Sequence, residues 1–427
     1  MGKTDPLKRH KMIREDPKTY IVSYGCSSAA GNSVDRYWNA LSDGRDCSRP
    51  VSQAEVAGKI PETESRAEIP QGFRACLWAE RRGTDGEVLS ASDLLQTHLF
   101  MAWKQMIESL SERRKRRLDP SFVNGRRLGI ILCSTKGEID DWIWKPSFSE
   151  EELNRDPITP VLDRFISESG ITPCLRTTVC NACASSLSGL FLAKLWISQG
   201  RADDVVLLAA DRIGPFVARG FDSLKVLTGS HVRPFSVDRD GLRLGEAAAS
   251  IFLSAEAERE LPIAWELEAV GLDAEGYSAT RPSASGESLR RACLNLPMIA
   301  ENPPDFVIAH GTGTQLNDSA EDRVFAGFFN RSAPKKVPVT GTKWAIGHTL
   351  GASGAMDLIA ACEMIRRQEV FRLATTETVD PGFGAHYLDR FAETSLPFET
   401  KRGWITSLGF GGIHAAASVV RMQAVQR

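Results

Sequence analysis

The chain has 427 residues, is 42% hydrophobic and 25% charged, and carries a formal net charge of −2. That length builds a large core and usually more than one domain-sized unit. That charge excludes a strong electrostatic pull toward nucleic acid or an anionic membrane surface. No run approaches the roughly 18 apolar residues that span a bilayer. The first 18 residues are polar and basic and lack the apolar stretch of a secretory signal. The nine cysteines show no paired zinc spacing, since Cys180-x-x-Cys183 has no second pair nearby. They read as reduced thiols of a cytoplasmic protein.

Residues 1–18 read as a flexible extension. A strand over 20–24 leads through Ala29-Ala30-Gly31 to a helix over 33–43. Residues 44–90 are mixed and hold few periodic signals. Leu94, Leu95, Leu99, Ala102, Trp103, Met106 and Leu110 fall at helical spacing, predicting a helix over 91–111 with a basic run, 113–117, at its end. That run reads as a solvated helix end or as part of a docking patch for an acidic partner. A buried strand over 128–132 ends at Cys133-Ser134-Thr135-Lys136-Gly137. A strand over 175–179 then gives way to a small-residue helix over 184–199, and strands follow over 204–210 and 247–253. Alternating strands and helices predict an α/β fold with largely buried sheets.

From about residue 261 this plan repeats in element order. A short strand over 306–309 ends at His310-Gly311-Thr312-Gly313-Thr314. Another, over 337–340, leads to Ala345-Ile346-Gly347-His348 and a small-residue helix over 350–367, mirroring the turn at Cys183. A strand over 404–408 reads as the last. Two similar halves packed face to face place a site at their join.

Cys183 lies where strand becomes helix. Backbone N–H groups at a helix start favour a thiolate there, although such a cysteine, taken alone, is more often a small buried hydrophobe. His310 and His348 each follow a strand among glycines, where a ligand approaches closely. A Cys with two His suits acyl-thioester chemistry: the sulfur attacks a carbonyl, backbone N–H groups hold the oxyanion, and two donating imidazoles hold a second thioester as its enolate. Lys343 stands five residues before His348 and is placed to set the histidines' charge or position. A zinc site of Cys183, His310 and His348 is possible in residue type but lacks any short ligand spacing.

Asn181-Ala182-Cys183-Ala184-Ser185-Ser186, His310-Gly311-Thr312-Gly313-Thr314, Lys343 with Gly347-His348, and Gly409-Phe410-Gly411-Gly412 together resemble the signature of elongating β-ketoacyl-acyl carrier protein synthases. Supporting segments, including Arg233-Pro234-Phe235, Gly245-Glu246-Ala247 and Asn317-Asp318 with Glu321, stand in the family's order over residues 20–422. The resemblance implies a thiolase-like fold of two pseudo-repeated α/β halves in a five-layered α-β-α-β-α sandwich. The halves are placed at 19–258 and 259–427. It implies decarboxylative Claisen condensation in fatty acid, polyene or polyketide synthesis, with acyl- and malonyl-loaded acyl carrier protein as partner. A homodimer is expected, or a heterodimer with a second ketosynthase-like subunit. Cys183 would carry the acyl chain and His310 and His348 would stabilise the enolate. The N–H groups of Cys183 and Phe410 would form the oxyanion hole, and Phe410 would gate the acyl pocket. Thr312 and Thr314, and more weakly Thr280, would hold the pantetheine arm. Lys343 would pair with Glu321. No redox or nucleotide cofactor and no metal is implied. Thiolases lack the His-Gly-Thr-Gly-Thr segment, and initiating synthases replace one histidine by Asn. A catalytically silent chain-length factor lacks the nucleophilic Cys and is the alternative reading.

Three positions depart from the family. Ile413-His414 stands where Thr-Asn is usual behind the Phe410 loop. Lys136 stands at the floor of the acyl pocket, where it either shortens the pocket and selects an unusual chain or turns away to pair with Glu138, Asp140 or Asp141. The basic run usual near the early helix is missing at 90–95, which shifts carrier docking to Arg81, Arg82, Lys225 and the run 113–117.

Overall fold

A computed structural model describes residues 17–57, 69–81, 89–113, 126–143, 147, 149–150, 154–256, 264–297, 303–329, 336–392 and 400–422. Residues 1–16, Arg82, the run 114–117 and the 258/259 boundary between the expected halves lie outside these. The strands are β1 (Tyr20–Ser28), β2 (Arg49–Pro50), β3 (Arg74–Ala75), β4 (Leu128–Cys133), β5 (Leu175–Val179), β6 (Asp204–Asp211), β7 (Ala247–Ser254), β8 (Trp265–Ala274), β9 (Phe306–Ile308), β10 (Pro338–Thr340), β11 (His386–Tyr387), β12 (Arg402–Leu408) and β13 (Ile413–Arg421). The helices are α1 (Val34–Ser42), α2 (Gln53–Ala57), α3 (Ala91–Arg113), α4 (Ile139–Ile143), α5 (Thr159–Ser169), α6 (Ser185–Ser198), α7 (Pro215–Ser223), α8 (Glu287–Leu294), α9 (Gln315–Phe328), α10 (Lys343–Ile346) and α11 (Ser353–Arg367).

Eleven of these strands form one sheet in the order β11-β10-β9-β12-β13-β8-β1-β7-β6-β4-β5. Its two wings follow one pattern. β4 pairs parallel with β5 and β6, and β7 pairs antiparallel with β6 and β1. β9 likewise pairs parallel with β10 and β12, and β13 antiparallel with β12 and β8. β1 and β8 join the wings through the ladder pairs Tyr20–Glu266 and Ile21–Trp265. So short a ladder lets them fold over the helices between them. The strand over 404–408 is not the last: β13 returns beside it, and β8 lies on β13's other side.

α6 and α11 occupy the space between the wings and pack on each other. Every residue of α11 from Ser353 to Ile365 is buried. Helices apolar on all sides belong in such a middle layer. Gly354 permits the crossing, since a Cβ there would lie 2.9 Å from Leu187 Cγ. α3 covers β1 and β7 on one outer face, and α8 covers β8 and β13 on the other. The result is a layered helix–sheet–helix–sheet–helix arrangement. β4, β6 and β7 are buried at every residue, as sheets covered on both faces require. Among the described residues no helix is long and apolar enough to cross a membrane.

Candidate active site

Both middle helices start from the same kind of turn. Ala182 (φ 47°) and Leu350 (φ 53°) are left-handed, and each lies three residues before the first residue of its helix, Ser185 or Ser353. A side chain in that conformation costs about 1–2 kcal/mol. The surroundings fix the first turn: Ser185 Oγ donates to Ala182 O (2.6 Å), Asn181 N–H donates to Ser185 Oγ (2.9 Å), and Ser407 Oγ of β12 donates to Cys183 O (2.8 Å). Cys183 is thereby held buried between the two wings.

His348 is set by pairing with the loop before β7. Its N–H donates to Arg243 O (2.6 Å) and its carbonyl accepts from Gly245 N–H (3.0 Å). The ring lies with Nε2 3.0 Å from Cys183 Sγ, and Leu350 N–H donates to Nδ1 (3.2 Å). A neutral imidazole that accepts at Nδ1 carries its proton on Nε2. That proton therefore points at the sulfur. His310 crosses His348 edge to face, with ring centroids 5.0 Å apart. Its backbone N–H donates to Glu321 Oε1 (2.8 Å), and Gly311 N–H to Glu321 Oε2 (2.7 Å). Thr406 Oγ1 and Asn317 Nδ2 also donate to Glu321, at 2.7 and 3.0 Å. Asp318 accepts from Phe235 N–H and Gly313 N–H in the same way. These two carboxylates hold the loop after β9 in shape.

One ring or sulfur atom each of Cys183, His310 and His348 lies within 4.8 Å of the others. The set suits zinc by residue type. The geometry does not: two ligands on a tetrahedral zinc sit about 3.5 Å apart by the usual bond lengths, against 3.0 Å here. A proton on His348 Nε2 also leaves that nitrogen no lone pair for a metal.

Burial pushes the Cys183 thiol up to about 11, against the pull of the Phe410 N–H and Lys343. Burial, reinforced by Lys343, holds both imidazoles well below their ordinary value. At neutral pH the resting site thus holds a thiol beside two neutral rings rather than a thiolate–imidazolium pair. Iodoacetamide labelling of Cys183, followed by mass spectrometry, should accelerate with each step of pH up to about 11. A plateau near pH 7 would mean a thiolate already formed.

The three residues line a cavity of about 290 Å³. Phe410, Thr312, Thr314 and Thr280 line it, as do Lys225 and Arg281. Thr312 and Thr314 share a hydrogen bond of 2.9 Å. Phe410 stacks on Phe221 with centroids 5.4 Å apart, and its loop is tied down where Gly411 N–H donates to Ala279 O and Glu275 N–H to Gly412 O.

Three expectations need correction. Lys343 pairs with Asp357 of α11, at 3.3 Å, and not with Glu321, whose oxygens are taken by the His310 loop. Lys136 lies outside the cavity that holds Cys183. Its buried ammonium donates to Arg212 O (2.6 Å) and stands 3.9 Å from both Asp140 and Asp211, because a charge removed from water needs acceptors. Of its three expected partners only Asp140 is there; Glu138 accepts from Trp142 and Asp141 caps the start of α3. Arg81 is no docking residue, since it turns inward to Glu246 and donates to Glu55 O (2.7 Å). Sequence reasoning missed Asp357, Phe221 and Ser407. Asp357 had a signal: a carboxylate in the apolar first half of a buried helix requires a buried partner.

Profiles of the β-ketoacyl synthase N-terminal and C-terminal domains match residues 175–259 and 265–377. A putative polyketide β-ketoacyl synthase 1 of Streptomyces cyaneus is 27% identical over 431 residues, covering 93% of this chain and 96% of that one. A type II polyketide ketosynthase solved with its acyl-carrier protein superposes with a TM-score of 0.76 at 19% identity, over 95% of this chain and 100% of that one. A ketosynthase solved with its chain length factor, from Xenorhabdus doucetiae, gives 0.71 at 22%, over 95% and 98%. These two likenesses are of fold: the chain shares the layered architecture of both proteins. Over the matched residues the chain is similar to the β-ketoacyl synthase family.

Proposed function

We propose that this chain is an elongating ketosynthase, condensing an acyl group held on Cys183 with a malonyl thioester on an acyl carrier protein. One observation carries the reading: the Cys183 sulfur and two imidazoles converge on one cavity, with His348 Nε2, the nitrogen that carries the ring proton, 3.0 Å from the sulfur. In the first half-reaction the sulfur attacks the acyl carbonyl. The N–H groups of Cys183 and Phe410 receive the oxyanion. The thiol proton leaves with the departing pantetheine sulfur. In the second, the malonyl thioester enters with its carbonyl against His310 and His348. The bond to the carboxylate breaks, carbon dioxide leaves, and the electron pair becomes an enolate held by the two N–H donors. The enolate carbon attacks the acyl thioester and releases Cys183.

Lys343, through its pair with Asp357, keeps both imidazoles neutral so that they donate without capturing the enolate's charge as a proton sink. Thr312 and Thr314, with Thr280 beside them, are placed to hold the pantetheine arm, and Phe410 stands as the gate. Glu321 positions His310 through its backbone.

The partner is the acyl carrier protein, and Lys225 and Arg281 at the cavity suit its phosphopantetheine phosphate. The relatives named for complexes with a carrier protein and a chain length factor support that reading and a paired subunit. β5 ends the sheet, and such an edge accepts a strand of a second copy or of a related chain. The repeated strand order supports halves at 19–258 and 259–427, in a cytoplasmic enzyme of polyketide, polyene or fatty acid synthesis. The test is stepwise: acyl transfer to Cys183, then formation of a β-ketoacyl thioester two carbons longer on addition of malonyl carrier protein.

A further inference from the structure

No step of the condensation uses His414, the second residue of β13. Its ring nonetheless lines the same cavity as Cys183 and His310. The side chain is 1% exposed, with Nε2 3.5 Å from Glu275 Oε1. Its Nδ1 has no hydrogen-bond partner among the described residues. A nitrogen buried without a partner carries a penalty that an apolar residue would avoid. In the ladder His414 stands directly opposite Asp273 and Leu408.

The groups that face it grow more exposed away from the cavity. Side-chain exposure rises from 1% at His414 to 10% at Glu275 and 24% at Asp273. Asp273 is bound by Arg291 of α8, the one cation that acts on His414, while His310 feels His414 from the cavity side. β12 presents only Leu408 there. Glu275 is itself fixed: Ser283 N–H donates to its Oε1 (2.7 Å), and its own N–H holds Gly412 O at the base of the Phe410 loop (2.9 Å).

The proposed reaction needs a path for a proton. Acyl transfer is neutral in protons, since the thiol proton leaves on pantetheine. The condensation is not. A carboxylate departs as carbon dioxide, its electron pair forms the new carbon–carbon bond, and the pair of the broken C–S bond leaves a thiolate on Cys183. One proton must enter per turnover to restore the thiol. His348 cannot relay it, because its Nδ1 accepts from Leu350 N–H.

We propose that His414 carries this proton from solvent, by way of Glu275, into the cavity it shares with His310 and Cys183. The inference rests on the condensing reading. It makes His414 a positioning and proton-carrying residue rather than packing behind the Phe410 loop.

The test is single-turnover condensation of the acyl-enzyme with malonyl-pantetheine thioester across a pH series, for wild type, His414→Asn and Glu275→Gln. His414→Asn should condense about 10²-fold more slowly at the alkaline end and regain rate when imidazole is added to the buffer. Glu275→Gln should show a smaller loss of the same shape. Iodoacetamide labelling of Cys183 should be unchanged in both. Variant profiles that superpose on wild type overturn the proposal. So does a loss equal at every pH, accompanied by slower labelling and unrelieved by imidazole, which marks a packing role. A wild-type acyl-enzyme that forms no β-ketoacyl product defeats the condensing reading itself.

Discussion

Cys183→Ala should stop chain elongation, lowering it at least about 10³-fold, while leaving malonyl decarboxylation in place. The two activities draw on different atoms. Elongation needs a sulfur to carry the acyl group, and Cys183 is the one cysteine among the described residues that line the cavity. Decarboxylation needs only donors for the enolate oxygen, and those are the imidazoles, edge to face at 5.0 Å. His310→Ala and His348→Ala should each lower carbon dioxide release from a malonyl thioester about 10²- to 10³-fold, the usual loss when a preorganised oxyanion donor is removed. Carbon dioxide release from malonyl carrier protein, measured for all three variants, separates the roles. Equal loss in Cys183→Ala and the histidine variants would contradict the division.

Lys343→Met should destabilise the fold by about 3–5 kcal/mol, because it strands a buried carboxylate. Lys343 and Asp357 are 1% and 0% exposed and sit 3.3 Å apart. Among the described residues, Thr342 Oγ1 is the other side chain that hydrogen-bonds to Asp357 (2.5 Å). Replacing both, as Lys343→Met with Asp357→Leu, should recover most of the loss, since a buried ion pair is worth little against well-packed apolar groups. Denaturant unfolding of the two singles and the double reads this directly. Chemistry should not recover with stability. Lys343 is the second cause, after burial, that lowers both His310 and His348. Its removal should raise both imidazoles toward their ordinary value, seen as an upward move in their NMR titrations. A double variant as unstable as the single would mean that the pair is not what holds α10 to α11.

The site was legible where glycines and small residues mark it. The Cys183 turn, the His310 loop and the Gly347-His348 turn all stand at strand ends that the apolar runs announce. α9 was missed because the first half of its buried face is polar: Asp318, Glu321 and Asp322 point inward to accept backbone N–H groups of the loops around them, and Asn317 donates to Asp318 and Glu321. A helix whose inner face binds loops has no apolar period to read. β13 was missed for a related reason. Its run of Ala415, Ala416 and Ala417 favours helix locally, and strand is imposed by pairing with β12 and β8 on either side. Lys136 and Lys343 show the limit from the other direction. Both were singled out with other partners in view, but Asp211 and Asp357 lie 75 and 14 residues from them in sequence, beyond any local pattern.

The account turns on an acyl group carried by Cys183 and released as a longer chain. Its most direct measurement is the intact mass of the protein after incubation with acyl-loaded carrier protein, then again after malonyl-loaded carrier protein, beside Cys183→Ala. The account predicts one acyl mass on the wild type and none on the variant. That mass should disappear on malonyl addition as a β-ketoacyl carrier appears, two carbons longer. A wild-type protein that takes up no acyl group from any chain length, with its Cys183 thiol intact, would contradict it and favour a non-catalytic partner of another ketosynthase.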